Sequence, residues 1–163
     1  WYRSRGLGDV YKRQVIVLFI HLFVVYLPLV KLIAKVNIIN FFSGLKQALL
    51  FAFSTSSSSA TIPITLNNLE KSFNVKKKVS SFTVPLGATI NMDGTAIIQG
   101  MATILIANFY GIELIFTDFL TIILTAALAS IGTAGVPGVG MIMLGMVLNQ
   151  VGLPLEGLSL IHI

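Results

Sequence analysis

The sequence predicts an all-α polytopic membrane protein, in which transmembrane helices accompany two re-entrant helical hairpins set around a broken helix. Three observations carry that prediction. The 163-residue chain is 55% hydrophobic and only 10% charged, with a mean hydropathy of +0.90, whereas a soluble domain is nearer a quarter charged. Two pairs of apolar segments, each too short to span a membrane that needs about 20 residues, meet at tips of small residues. One long apolar segment, Phe82 to Tyr110, is interrupted at its middle by Asn91 to Gly94.

The elements follow in order. Residues 1–14 carry Arg3, Arg5, Lys12 and Arg13 beside Gly6, Gly8 and Asp9, which fits neither a secretory signal nor a span. They read as a non-native leader, and residues 158–163 read as a tail of doubtful origin. The membrane core is expected over 15–157. Within it, Val15 to Val30 is a near-continuous apolar run containing His21 and Pro28, giving a helix over 15–35 closed by Lys31 and Lys35. A hairpin is expected over 40–74. Its arms are Phe41 to Phe53 and Ile62 to Phe73, its tip is the serine run Ser54 to Thr61, and Pro63 stands in the first turn of the second arm. Lys76 to Lys78 precede a broken helix over 78–110. A second hairpin is expected over 116–152, with Ser130-Ile131-Gly132-Thr133-Ala134-Gly135-Val136-Pro137-Gly138 as its tip.

Composition closes several routes. Cysteine is absent, which excludes disulfides, thiolate metal sites and cysteine nucleophiles. The net charge of +5 is concentrated at the start, where four of the eleven basic residues stand. No basic surface for nucleic acid remains. Charge also orients the chain. With the first helix running inward, Lys31, Lys35, Lys71 and Lys76 to Lys78 are cytoplasmic, and Glu113, Asp118 and Glu156 lie outside, as the positive-inside rule requires. Two full crossings per hairpin would preserve the same sidedness, so segment length is what argues for re-entry.

Short interrupted hydrophobic segments in corresponding positions point to a transporter binding site. Irregular backbone at membrane depth survives only where it is buried or lines a watery cavity. The serine tip admits a linker or a plain helix cap. It also offers backbone N–H groups at a half-helix N-terminus, which attract a carboxylate. Asn91-Met92-Asp93-Gly94-Thr95 combines poor helix formers at mid-span. Unwinding there frees carbonyls, Asn91 adds a neutral oxygen and Asp93 a charge, a hard-oxygen set suited to a small cation. A buried intramembrane carboxylate is costly and marks ion or proton sites. The bland alternative is a kink with a hydrogen-bonded Asp93. Pro137 argues against continuous helix packing at the second tip, leaving a flexible gate. Lys76 to Lys78 read as topogenic rather than lipid-binding, and His21 as a packing residue.

Three motifs in order, Ser56 to Thr61, Gly87 to Thr95 and Ala129 to Gly138, resemble the glutamate transporter family, the dicarboxylate/amino acid:cation symporters. The resemblance covers roughly residues 15 to 157. It implies the sixth transmembrane helix, the first hairpin, the seventh helix and the second hairpin, with the trimeric scaffold and the eighth helix outside this chain. The segment alone is then expected to be incompetent. The resemblance implies substrate contacts at Ser57, Ser58, Thr95, Val136 and Gly140. It implies sodium contacts at Gly87, Thr89, Asn91, Met92, Asp93, Ser130, Ile131 and Thr133, with no organic cofactor and Na+ as coupling ion.

The expected function is sodium-coupled symport of an acidic amino acid, glutamate or aspartate, with no bond chemistry and no catalytic residue. The expected partners are that small molecule, membrane lipid and two further copies in a homotrimer, in the plasma (inner) membrane. Neutral amino acid symport with sodium and proton-coupled C4-dicarboxylate symport remain open alternatives within the family. A re-entrant-loop ion channel is the alternative of another class, and a non-transporting scaffold is a third.

Overall fold

Proline, asparagine and serine decide where helices stop and start along this chain. The structure, a computed structural model, describes residues 2–162, and every regular element among them is helical. Contacts divide the chain into two compact units. One comprises Phe19–Asn91 with Ala134–Pro137. The other comprises the residues up to Leu18, Met92–Thr133 and Gly138–Ile163.

Helix α1 (Tyr2–His21) leads into two π turns, Leu22–Tyr26 and Leu29–Ile33. Pro28 lies between them. It has no N–H, and its ring crowds the carbonyl four residues back, so the ladder widens. The Leu27 N–H reaches the Leu22 carbonyl, and the Ala34 N–H reaches the Leu29 carbonyl at 3.1 Å, each five residues back. Lys35 then turns left-handed at φ 53. The Val36 N–H closes the helix end on the Val30 carbonyl at 3.2 Å.

Asn37 caps α2 (Ile38–Thr55), its Oδ1 accepting from the Ile39 N–H at 2.9 Å. At 18 residues this helix is longer than the apolar run Phe41 to Phe53, because Ile38 to Asn40 and Ser54-Thr55 extend it at both ends. By length and composition it suffices to cross a membrane, unlike the short segment expected from hydropathy. Ser56 is left-handed (φ 49, ψ 32) and Ser57 extended (φ −133, ψ 109). This two-residue tip reverses the chain into α3 (Ser58–Phe73). Pro63 falls at the sixth position of α3, in its second turn rather than its first, where its missing N–H leaves the Ser59 carbonyl without its usual donor. Near the base of the pair, a Cβ on Gly44 would stand 2.7 Å from the Phe73 ring, so only glycine permits this approach. A short turn through left-handed Asn74 (φ 52) joins α3 to α4 (Lys77–Ile90), which packs on it. The brevity of that turn makes α3 and α4 antiparallel. The N-terminus of α3 and the C-terminus of α4 therefore share one end of the pair.

In the other unit, α5 (Asp93–Tyr110), α6 (Phe116–Ile131), α7 (Val139–Gln150) and the short α8 (Leu158–His162) pack together. The core is built from Ala102, Ile106 and Ala107 of α5, Ala126 of α6, and Leu144, Val147 and Leu148 of α7. Its alanines allow helices to approach closely, as in membrane bundles. Gly111 ends α5 in the left-handed region at φ 68. The Asp118 carboxylate accepts from the Ile115 N–H at 3.0 Å and starts α6. Polarity is inverted relative to a soluble fold. Gln99 and Thr103 are fully buried while Phe53, Phe116 and Ile142 are among the most exposed side chains.

Candidate functional site

The first tip is organised around one hydroxyl. Ser57, buried, accepts from the Ala60 N–H at 3.1 Å through Oγ and donates from the same Oγ to the Gly135 carbonyl at 2.8 Å. The Ser59 N–H donates to that carbonyl as well, at 3.1 Å. Thr61 Oγ1 ties back to the Ser57 carbonyl at 2.7 Å. Of the three first-turn N–H groups of α3, those of Ser59 and Ala60 are thus engaged, and the Ser58 N–H has no bond among the described residues. The approach is close enough that a Cβ on Gly135 would meet Ser59 Oγ at 2.8 Å. Val136, exposed, lies beside it with its N–H on the Ala134 carbonyl at 2.8 Å.

The helix break falls at Asn91 (φ −95, ψ 68) and Met92 (φ −111, ψ 44), neither of them helical. On the α4 side, the Asn91 N–H bonds the Gly87 carbonyl at 3.0 Å. The next three carbonyls, of Ala88, Thr89 and Ile90, receive no backbone N–H among the described residues. Thr89 Oγ1 folds onto its own helix, donating toward Leu86 O at 3.0 Å. Asn91 Nδ2 donates to the Tyr26 hydroxyl at 3.3 Å. On the α5 side, the Met92 carbonyl accepts from Thr95 and Ala96 at 3.0 and 3.1 Å. Asp93 is the first residue of α5, where a negative charge is favoured by the helix dipole.

Thr95 and Gly140 meet in the second unit, where a Cβ on Gly140 would lie 3.5 Å from Thr95 Cγ2. One turn on, Gln99 Nε2 donates to the Gly140 carbonyl at 3.1 Å, while its buried Oε1 has no partner among the described residues. Ser130 and Thr133, both buried, donate to the Ala127 and Ala129 carbonyls at 2.8 Å each. Their own main-chain oxygens lie at the C-terminal end of α6, and Ile131 is exposed. Of the residues singled out from sequence, Ser57, Ser58, Gly87, Thr89, Asn91 and Val136 fall in one unit. Met92, Asp93, Thr95, Ser130, Ile131, Thr133 and Gly140 fall in the other.

Sequence reasoning missed Gln99 and Tyr26, and had Gly135 only as one residue of the second tip. Gln99 had a signal, since Thr95, Gln99 and Thr103 form an i, i+4, i+8 polar stripe on an apolar helix, with Thr103 Oγ1 donating to the Gln99 carbonyl at 2.8 Å. The pairings made by Gly135 and Tyr26 had none, because their partners stand 65 or more positions away.

The pattern that defines the sodium:dicarboxylate symporter family matches residues 6–162. The chain belongs to this family. The match begins inside the stretch read as a leader and ends inside the tail. An excitatory amino acid transporter of Caenorhabditis elegans is 48% identical over 136 residues, 83% of this chain and 27% of the relative. Excitatory amino acid transporter 1 of Homo sapiens is 47% identical over 144 residues, covering 88% and 27%. Excitatory amino acid transporter 5 of Mus musculus is 48% identical over 130 residues, covering 80% and 23%. The chain spans about a quarter of the length of these curated relatives. Three helices, Tyr11–Ile33, Ile38–Thr55 and Lys77–Tyr110, are long and apolar enough to cross a membrane. This symporter-family chain is a multi-pass plasma-membrane chain.

Proposed function

We propose that the full-length protein is a sodium-coupled secondary active symporter of acidic amino acids, and that this segment supplies part of its transport core. The observation that carries the reading is the helix break at Asn91-Met92. It leaves three α4 carbonyls without backbone donors among the described residues, and Asp93 opens the helix that follows in sequence. Hard neutral oxygens plus a single carboxylate suit a monovalent alkali cation. The relatives named as excitatory amino acid transporters favour glutamate or aspartate as the substrate.

In this reading the substrate carboxylate sits at the α3 N-terminus. The Ser58 N–H receives it there, and charge-assisted bonds let it compete with a neutral carbonyl for the neighbouring donors. Thr95 and Gly140 face the rest of the substrate, and Val136 covers it. Sodium draws on Gly87, Thr89, Asn91, Met92 and Asp93, with the Ser130, Ile131 and Thr133 carbonyls joining as the second hairpin closes. The core then carries both solutes across the membrane within a homotrimer surrounded by lipid. Proteins of this kind move solutes and make no covalent bonds.

Two features support hairpins that enter and leave on one side. At about 1.5 Å per residue, the 12 residues of α7 reach only about 18 Å, well short of a hydrocarbon core of about 30 Å. Lys46 lies midway along α2, where a full crossing would place it near the bilayer centre at a cost of about 3 kcal/mol. A helix that turns back at Ser56-Ser57 leaves Lys46 nearer the entry face, where it snorkels.

The test is uptake of aspartate, serine and succinate by the full-length protein in liposomes, with and without a sodium gradient. Sodium-dependent aspartate uptake that is lost in Asp93→Ala is the expected result. Equal uptake without sodium would overturn the cation assignment in favour of proton coupling. Serine or succinate as the preferred solute would overturn the substrate class, and current without any solute would favour a channel.

A further inference from the structure

Tyr26 is a polar tip in an otherwise apolar helix run, Leu22 to Val30, and it sits at the end of a π turn. Such turns widen the ladder and shift side-chain register. Here the widening traces to Pro28, two residues on. The ring is half-buried and held edge-on by His21, with centroids 5.3 Å apart and planes at 89°. Its hydroxyl receives Asn91 Nδ2 at 3.3 Å. The Asn91 backbone is fixed independently, as the cap of α4, by its N–H bond to the Gly87 carbonyl at 3.0 Å.

A carboxamide has one donor end and one acceptor end. With Nδ2 committed to Tyr26, Oδ1 is left as the acceptor end, and no hydrogen bond reaches it among the described residues. Asn91 directly follows, as the cap of α4, the carbonyls that end without backbone donors. Without the tyrosine hydroxyl the amide could flip and present N–H groups, which repel a cation, where the oxygen had been. Partners that orient a ligand tune metal affinity without touching the metal.

We propose that Tyr26 is a positioning residue for the coupling cation, holding the Asn91 amide with Oδ1 presented as a hard neutral ligand at the helix break. The proposal rests on the sodium-coupled reading above. A tyrosine that merely packs or satisfies its own hydroxyl would leave cation affinity alone.

The experiment uses the full-length protein and two readouts. The first is the sodium concentration giving half-maximal aspartate uptake in liposomes. The second is the sodium-dependent rise in unfolding temperature of the purified protein without substrate, which reports cation binding by mass action. Tyr26→Phe removes one oxygen and keeps the ring. It should raise half-saturating sodium about tenfold, shift the thermal titration by the same factor, and leave the rate at saturating sodium within about twofold. In an Asn91→Ala background, Tyr26→Phe should add no further shift, because the group it orients is gone. A lower maximal rate with unchanged half-saturating sodium would overturn the proposal and leave the sodium reading intact, as would equal shifts in both backgrounds. Loss of all sodium dependence in the unaltered protein would overturn both together.

Discussion

Replacing Gly135 by alanine should break the contact between the two tips. Gly135 is not left-handed, so space rather than backbone strain demands glycine there. The added Cβ would stand 2.8 Å from Ser59 Oγ, 3.0 Å from Ser58 Cβ and 3.0 Å from the Ser59 nitrogen. The first clash is relieved by rotating a hydroxyl, whereas the other two involve atoms that move only with the backbone. A shift of a few tenths of an ångström lengthens the 3.1 Å Ser59 N–H bond and the 2.8 Å Ser57 Oγ bond to the Gly135 carbonyl. Two bonds at about 1 kcal/mol each set the loss at about 2 kcal/mol. That corresponds to about a 30-fold shift toward separated tips. Hydrogen exchange read by mass spectrometry on the full-length protein should show the Ser59 amide exchanging about 30-fold faster. Ser59→Ala should fail to restore protection, since the nitrogen and Ser58 contacts persist. Gly132→Ala is the matched control, because its Cβ would meet nothing nearer than 3.8 Å. Unchanged Ser59 protection in Gly135→Ala would refute the claim that close approach holds the tips together.

Two further outcomes follow from local geometry. Gln99→Leu removes the 3.1 Å bond to the Gly140 carbonyl but also a buried oxygen with no partner among the described residues. Thermal unfolding should therefore change by about 1 kcal/mol or less, while a faster aspartate off-rate is expected from a loosened Gly140. At Gly111 (φ 68), where a Cβ would meet open space, alanine should cost about 1 kcal/mol through backbone strain alone, and asparagine, which tolerates that region, should recover most of it by the same measurement.

The helical elements were legible because each boundary has a local chemical cause. Gly111 stops α5, Asn37 starts α2, and Asn91 to Gly94 cluster poor helix formers at mid-span. The break fell where that cluster stands. The hydropathy reading underestimated α2 because polar residues at its ends are helical without being apolar. Ser54 and Thr55 stay in the helix by donating to carbonyls four residues back, at 2.8 and 2.9 Å. A serine run likewise does not announce which member turns left-handed. Ser56 to Ser59 are chemically alike, and Ser56 takes φ 49 where Ser57 is extended to cap α3. The site was legible as motif positions but not as pairings. The tyrosine that meets Asn91 and the glycine that meets Ser57 are fixed by tertiary packing across 65 and 78 residues, and no periodicity encodes that.

Under the proposed function, the antiparallel pairing of α3 and α4 lets so few charges serve both an anion and a cation. The two helices have 16 and 14 residues, so their ends are nearly level. At that shared end α3 presents N–H groups with a partial positive charge of about one half, and α4 presents carbonyls with the opposite charge. One pair of helix ends thus offers donors suited to a carboxylate and acceptors suited to a cation, each fixed by the backbone. Formal charges doing the same work would each cost several kcal/mol in desolvation at membrane depth. Of the two poles, the positive one is the one already occupied, by the Gly135 carbonyl. A neutral carbonyl is a weaker partner for those N–H groups than a carboxylate. On the proposed reading an arriving carboxylate displaces it, and these donors stay satisfied while no solute is bound.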